Sequence, residues 1–482
     1  MREYLLLLLV PVAVVVLLGA YRIAARPLSL DETTSYYLTQ IGWGRFVEVA
    51  ADSKVNMSLY FSLLRLWPLT GDEAGLRALS VVFGVLTIPP LVALGRRIMP
   101  APHAIAASVL LAMNELYLFE LRDARGYSLT VFLVVLGTWA LTVAVESRRA
   151  SWWVGWGIVM ALSLYAHFFA AFVLLAQLVA LVWTRPSVNR GGAIVAGVIL
   201  LAAAVPIGLT VLLAGGATLN WVQPTTWGRL FGAVSALAGS GAAIGVYALG
   251  LLVGAALLWR WRSGTTTNET LVWRLMWLSA TLPLITIVLL SLLKPVLVDR
   301  YLLVALPFAL VATIAALTAI SIRVGTVAVA ILLVISTVTT IAQLRTAHQR
   351  PPTWVAFMTR QAEPGDGVIF ADAQWRKVLA YYLPEEVSGK LALATSDIPI
   401  DANPYEARPP SGASLEEALV TMPCRHQRVW YVGGPANLQR ARDARVRRVA
   451  GALTDSYTEI DARRFGNRWV RLWERNADVD CA

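Results

Sequence analysis

Cysteine is nearly absent: Cys424 and Cys481 are the only two in 482 residues, and both stand near the C-terminus. Two thiols cannot build a metal centre. They either pair, if that region faces an oxidising compartment, or remain two unpaired thiols. Histidine is almost as scarce, with four residues and no HExxH spacing, so no metalloprotease-type site can be read from the chain. No GxxxxGK[ST] loop occurs, which argues against nucleoside triphosphate chemistry. Charged residues make up only 15%, against 57% hydrophobic, and mean hydropathy is +0.62. A soluble protein of this length could not hide so much apolar surface, so the chain reads as an integral membrane protein. No internal repeat or low-complexity tract stands out.

The net charge of +11 would suit nucleic acid. The basic residues, however, form short clusters between apolar runs, which is how topology is set in a membrane, and nucleic acid is discounted as a partner. The 18 Trp fit an interfacial belt. A span needs about 20 apolar residues, and candidate runs lie near 4–21, 78–95, 103–119, 128–145, 152–166, 168–183, 192–213, 232–258, 271–292, 301–320 and 325–343. That makes about eleven transmembrane helices by length. The 152–183 run is too long for one helix and divides around Ala166-His167, and 232–258 could hide a further break. The first run lacks a convincing small-x-small cleavage site before Arg22 and reads as an uncleaved helix.

With Arg2 on the cytoplasmic side, alternate connections bring Arg96-Arg97, Arg148-Arg149, Arg185 with Arg190, Arg260 with Arg262, and Arg323 to the same side. The opposite, outer side receives the 27–77 loop, the segment from Glu120 to Arg125, the Thr218–Trp227 loop, Lys294–Arg300 and the C-terminus. Residues 1–345 are therefore expected to form the membrane domain, with the outer loop 27–77. Residues 346–482, where membrane-length runs stop and charge becomes mixed, are expected to form a small extracytoplasmic α/β domain. Within it PGDGVIFADAQW and HQRVWYVGG read as strands, and RKVLAYYL as a helix.

The first outer loop carries the most chemistry. From Pro27 to Trp67 it holds Asp31, Glu32 and Asp52 beside Lys54 and Asn56, although a hairpin between spans needs only a few residues. An ionised carboxylate at a membrane cavity is costly unless solvated, paired or used. Asp31-Glu32 suits a general base that takes the proton of an attacking hydroxyl; the plainer reading is a solvated acid pair ending the first helix. Basic residues answer it on the same side, where topology does not require them: Arg122 and Arg125 in ELRDARGY, Lys294 in LLKP, and Arg300-Tyr301. Such side chains suit an anion such as phosphate, or simple pairs with Glu120, Asp123 and Asp299. His167, in LYAHFFAAF, is either a packing residue or a ligand contact. His103, His348 and His426 fall outside the expected cavity.

These segments resemble the GT-C superfamily of integral-membrane glycosyltransferases, in particular bacterial relatives of protein O-mannosyltransferases and aminoarabinose transferases. The resemblance is carried by SLDETTSYYLTQ at Ser29–Gln40 and NMSLYFSLLRLW at Asn56–Trp67, with Tyr60 inside it. It extends to ARGYSLTVFL at Ala124–Leu133, which includes Tyr127, to LYAHFFAAFVLLAQ at Leu164–Gln177, and to LLKPVLVDRYLLVALP at Leu292–Pro307. It implies a polyprenyl-phosphate-linked sugar donor and inverting transfer to a lipid, glycan or protein acceptor of the cell envelope, outside a bacterial plasma membrane. It makes Asp31 the base, Glu32 its support and Asp52 a second acidic position, with Arg125, Lys294 and Arg300 near the donor phosphate. Asn56-Met57-Ser58 stands where many relatives have His-Pro-Pro. Some relatives need a divalent metal; none is expected here, nor any other cofactor.

Two other classes compete. A transporter or lipid flippase would also have many helices and a charged cavity, but such proteins usually show internal repeats and charges near the midplane of their spans. A non-catalytic scaffold whose outer domain binds a partner would tolerate replacement of Asp31.

Overall fold

The structure is a computed structural model that describes residues 2–52, 56–213, 222–260, 268–346, 352–396, 398–406, 413–433, 444–466 and 468–479. It divides into two compact units: Met1–Ile23 with Val47–Thr346, and Ala24–Phe46 with Ala347–Ala482. Residues 24–46, expected with the membrane-spanning part, thus belong to the second unit.

The first unit is a helical bundle. Among the described residues seven helices are long and apolar enough to cross a membrane, eight if one bent pair counts as a span. Three shorter apolar helices, Leu8–Ala20, Ala150–Ala166 and Ala170–Thr184, accompany them, so each expected run has its helix. One run differs from expectation in form, and another takes the further break it could hide. The 103–119 run is the helix pair Ala101–Met113 and Glu115–Leu121, bent by 66°. Asn114 makes the break, because its Oδ1 accepts from Tyr117 N at 3.1 Å and its Nδ2 donates to Leu237 O at 3.0 Å. A side chain that caps a new helix competes with continuing the old one. The 232–258 run divides into Trp227–Ala238 and Ile244–Arg260. Gly239 ends the first of these at φ 78°, left-handed backbone that glycine adopts without a Cβ penalty.

The bundle has a centre and a periphery. Of an 18-residue apolar stretch within the Asp299–Ile320 span 89% is buried inside the protein, against 17% of the corresponding stretch of Arg190–Leu209. The first therefore threads the core and brings Arg300-Tyr301 to its end, while the second is left with an apolar surface suited to lipid. Where helices meet away from water, polar side chains pair. Trp156 Nε1 donates to Gln177 Oε1 at 2.8 Å, and Gln177 Nε2 donates to Thr138 Oγ1 at 2.9 Å, joining three helices. Gln177→Leu should leave both partners unsatisfied at a cost of about 1–3 kcal/mol, given about 0.6–1.7 kcal/mol per such bond. Thermal unfolding in detergent followed by tryptophan fluorescence would read the loss; an unchanged midpoint would show that the network contributes nothing.

The second unit contains a five-stranded sheet of order β2-β1-β3-β5-β4, with β1 at Asp366–Phe370, β2 at Leu391–Leu393, β3 at Arg428–Val432, β4 at Tyr457–Phe465 and β5 at Arg468–Arg475. β1 runs parallel to β2 and β3, and β5 runs antiparallel to β3 and β4. Strand alternation divides the apolar side chains between two faces. Val368, Phe370 and Trp430 join a core with Trp354 and Phe357, while Ile369, Val429 and Tyr431 join one with Leu419 and Leu453. The expected strands in VIF and RVWYV and the expected helix in RKVLAYYL are all present. The β4–β5 hairpin was not anticipated. β4 is an edge strand with most of its residues exposed or half-exposed, so it lacks the apolar alternation that announces a strand. Cys481 lies outside the described residues, and so does the question of its pairing with Cys424.

Candidate active site

Asp31 and Glu32 open the helix Leu30–Thr39 of the second unit. Ser29 caps it: its side chain accepts from Glu32 N at 3.1 Å, and Glu32 Oε2 accepts from Ser29 N at 2.8 Å. This capping box satisfies two of the donors that a helix start leaves without a partner. Arg26 adds an ion pair to the same Oε2 at 3.6 Å. The fully buried Glu32 carboxylate therefore builds the turn, while Asp31, one residue earlier, is half-buried and outside the box. The pair divides into a structural acid and a neighbour whose carboxylate the cap does not use.

The other candidates lie in the first unit, and several converge. His167, buried at the turn between Ala150–Ala166 and Ala170–Thr184, sits among three aromatic rings. Its centroid lies 5.3 Å from Tyr127, 5.2 Å from Phe169 and 5.5 Å from Tyr301. Nδ1 accepts from Phe169 N at 3.3 Å, which leaves Nε2 to carry the proton. Burial, with Arg125 and Arg300 in electrostatic reach, pushes this imidazole down to about 3. His167 is thus neutral across the physiological range, a hydrogen-bonding wall rather than a charge.

Arg300 places its guanidinium 5.8 Å from the Tyr127 ring, and Arg125 lies 5.6 Å from the Phe61 ring. Two cations from separate segments so come within electrostatic reach of His167. Backbone contacts fix the geometry. Asn56 Oδ1 accepts from Phe168 N at 3.4 Å, and a Cβ on Gly126 would come within 3.0 Å of Ala166 O and 3.2 Å of Tyr60 Cβ. Three segments far apart in sequence therefore meet at a glycine, where a side chain would be tightly crowded.

Not every expected residue joins this cluster. Tyr60 is fully buried with its hydroxyl 3.0 Å from Ser80 Oγ, which donates to Asp123 O at 2.8 Å. Arg122 donates to Arg22 O at 3.2 Å, at the end of the first helix. Lys294 is half-buried just past the helix Asn268–Leu293. Asp52 closes the helix Trp43–Asp52, but its side chain lies outside the described residues, as does all of Lys54. Phe169 was missed; the run of aromatics directly after His167 was its signal.

Beside Arg300 opens a cavity of about 510 Å³ lined by Glu115, Glu120, Ser235, Asp299, Arg300 and Gln343, among others. A second of about 370 Å³ shares Gly232 and Asp299 with it and adds Gln223 and Arg229. Both fall in the size range of small-molecule sites. Among the described residues no three His, Cys, Asp or Glu side chains are grouped so as to hold a metal ion.

Residues 64–209 match the family model described as dolichyl-phosphate-mannose-protein mannosyltransferase, over less than half of the chain. Comparison with curated protein sequences returns no match. Solved structures do match. ArnT from Cupriavidus metallidurans in the apo state superposes with TM-score 0.61 at 13% identity, over 96% of this chain and 97% of that one. The fold is that of the GT-C membrane glycosyltransferases. ArnT bound to undecaprenyl phosphate gives 0.57 at 13% identity, with the same 96% and 97% coverage. The archaeal oligosaccharyltransferase AglB from Archaeoglobus fulgidus, in complex with an inhibitory peptide and a dolichol-phosphate, gives 0.56 at 12% identity over 99% of this chain and 75% of that one. The GT-C likeness spans both compact units and accounts for a multi-span helical protein that also carries a small sheet.

Proposed function

We propose that the chain transfers a sugar from a polyprenyl-phosphate donor to a hydroxyl acceptor of the cell envelope, on the outer face of a bacterial plasma membrane, with inversion at the anomeric carbon. The observation that carries this reading is Arg300 over the Tyr127 ring of the Tyr127–His167–Tyr301 cluster, with Arg125 also in electrostatic reach of His167, next to a ligand-sized cavity in a GT-C fold. ArnT, a neighbour in fold, was crystallised with undecaprenyl phosphate.

Asp31 accepts the acceptor's proton as its oxygen attacks the anomeric carbon from the side opposite the phosphate. The bond from that carbon to the phosphate oxygen breaks, and polyprenyl phosphate leaves with one more negative charge than it carried as the diester. Arg125, Arg300 and Lys294 supply cations that interact more strongly with that growing charge than with the ground state, which is what accelerates a reaction. Neutral His167 and the phenols of Tyr127 and Tyr301 add dipoles without competing for the phosphate. The cations take the part a metal would play, so turnover should persist in excess chelator.

The test is incubation of the purified protein in detergent with a panel of polyprenyl-phosphate sugars and cell-envelope extract, measuring release of polyprenyl phosphate. Release with one sugar supports the reading and names the donor. No release with any donor would overturn it in favour of transport or a scaffold.

A further inference from the structure

The carboxylate-bearing helix Leu30–Thr39 is held by side chains more than 300 residues downstream, all within the second unit. Tyr382 Oη accepts from Leu28 N at 2.6 Å, just ahead of the capping box. Lys377 Nζ donates to Thr34 Oγ1 at 2.9 Å in the middle of the helix. Asn403 Nδ2 donates to Tyr37 O at 3.3 Å near its end, and Arg45 Nε donates to Tyr405 O at 3.0 Å beyond it. The Tyr36 ring meets Tyr381 edge to face at 4.8 Å, and Leu30 packs against the sheet's first apolar core. Both ends and the middle are therefore fixed. Helix Trp375–Tyr382 supplies three of these contacts, and it follows β1, an interior strand of the sheet.

Lys377 is an unusual means of holding a helix. It is 6% exposed, and its ammonium donates to Thr34 Oγ1, to Tyr405 Oη at 3.1 Å and to Gln374 Oε1. Its three protons thus have three partners, and Tyr405 also presents its ring 4.9 Å away. Beside it, buried Arg376 donates to the carbonyls of Pro399, Ile400 and Ala402. This fixes the loop that carries Asn403 and Tyr405. A surface helix could dock with apolar contacts alone; directional polar bonds at three heights set its rotation and axial position as well.

We infer that the C-terminal part of the second unit is the positioning element for the carboxylate pair, with Lys377 and Tyr382 as the residues that fix the rotation and height of the Leu30–Thr39 helix. This rests on the assignment of Asp31 as base. A base must sit within hydrogen-bond reach of the proton it takes, and a shift of about 1 Å can cost about 100-fold in rate. The role of that part is then to set the geometry of catalysis.

The experiment compares full-length Tyr382→Phe, Lys377→Met, Lys377→Arg and Asp31→Asn with the wild type. It reads hydrogen–deuterium exchange over residues 28–40, together with kcat and donor KM in the polyprenyl-phosphate release assay. Tyr382→Phe and Lys377→Met should speed exchange of the helix amides by about 10-fold or more and lower kcat by about 10–100-fold at unchanged donor KM. Lys377→Arg, which keeps the charge and several donors, should restore part of both. Tyr382→Phe deletes one oxygen, so it reports even if Lys377→Met does not fold. Faster exchange with wild-type kcat would overturn the inference, as would unchanged exchange or a loss carried by KM alone. Asp31→Asn separates the two ideas: normal turnover there removes the base itself, whereas an inactive Asp31→Asn beside fully active Lys377 and Tyr382 variants removes only the positioning role.

Discussion

Asp31→Asn should abolish sugar transfer while the protein folds and melts as before. The substitution keeps shape and hydrogen-bonding reach and removes only the ability to hold a proton; loss of a general base typically costs about 10²–10⁴-fold. Stability should barely move, because the N-cap is built by Ser29 and Glu32. The favourable interaction of a first-turn carboxylate with the helix dipole is worth about 0.3–1 kcal/mol. Glu32→Ala should behave differently. It strips the acceptor from Ser29 N and the partner from Arg26, so thermal stability and turnover should fall together, the former by about 0.5–2 kcal/mol. Side-by-side melting curves and single-turnover rates would distinguish a chemical from a structural acid. Near-normal turnover in Asp31→Asn would sink the assignment of the base.

That division between neighbouring acids was legible only in part. The sequence shows Asp31-Glu32 as a pair, but a capping box is a three-dimensional bond pattern, and Ser29 three residues before Glu32 was its one visible trace. The spans were legible because a membrane demands length and apolarity of each helix separately. Where a helix breaks was less so: Asn114 and Gly239 interrupt runs that stay apolar on either side of the break. Most hidden was the membership of residues 24–46 in the second unit. It depends on Lys377, Tyr382 and Asn403, partners that no local pattern links to the DE motif. Nor does the sequence show that Tyr60 pairs with Ser80 or that Arg122 bonds the carbonyl of Arg22.

The sharper test of the donor side is Arg300. Its backbone N–H bonds Asp299 Oδ1 at 2.8 Å, its guanidinium stands 5.8 Å from the Tyr127 ring, and the residue lines the 510 Å³ cavity with Glu120. It opens the span whose apolar stretch is 89% buried, so its backbone is held by the best-packed helix of the bundle and cannot easily shift to compensate for a lost side chain. Arg300→Ala should lower kcat/KM for the donor by about 10²–10³-fold, the effect of deleting one preorganised donor to a developing anion, about 2.7–4 kcal/mol. Acceptor KM should stay close to wild type, because the lost contact acts on the leaving group. Arg300→Lys should fall between the two, since it restores the charge without the planar fork that grips two phosphate oxygens at once. Donors with leaving groups of graded acidity would expose the cause. The Ala variant should lose least with the best leaving group, where the phosphate needs the least help. An equal loss across that series, or an unchanged donor dependence, would make Arg300 a structural arginine.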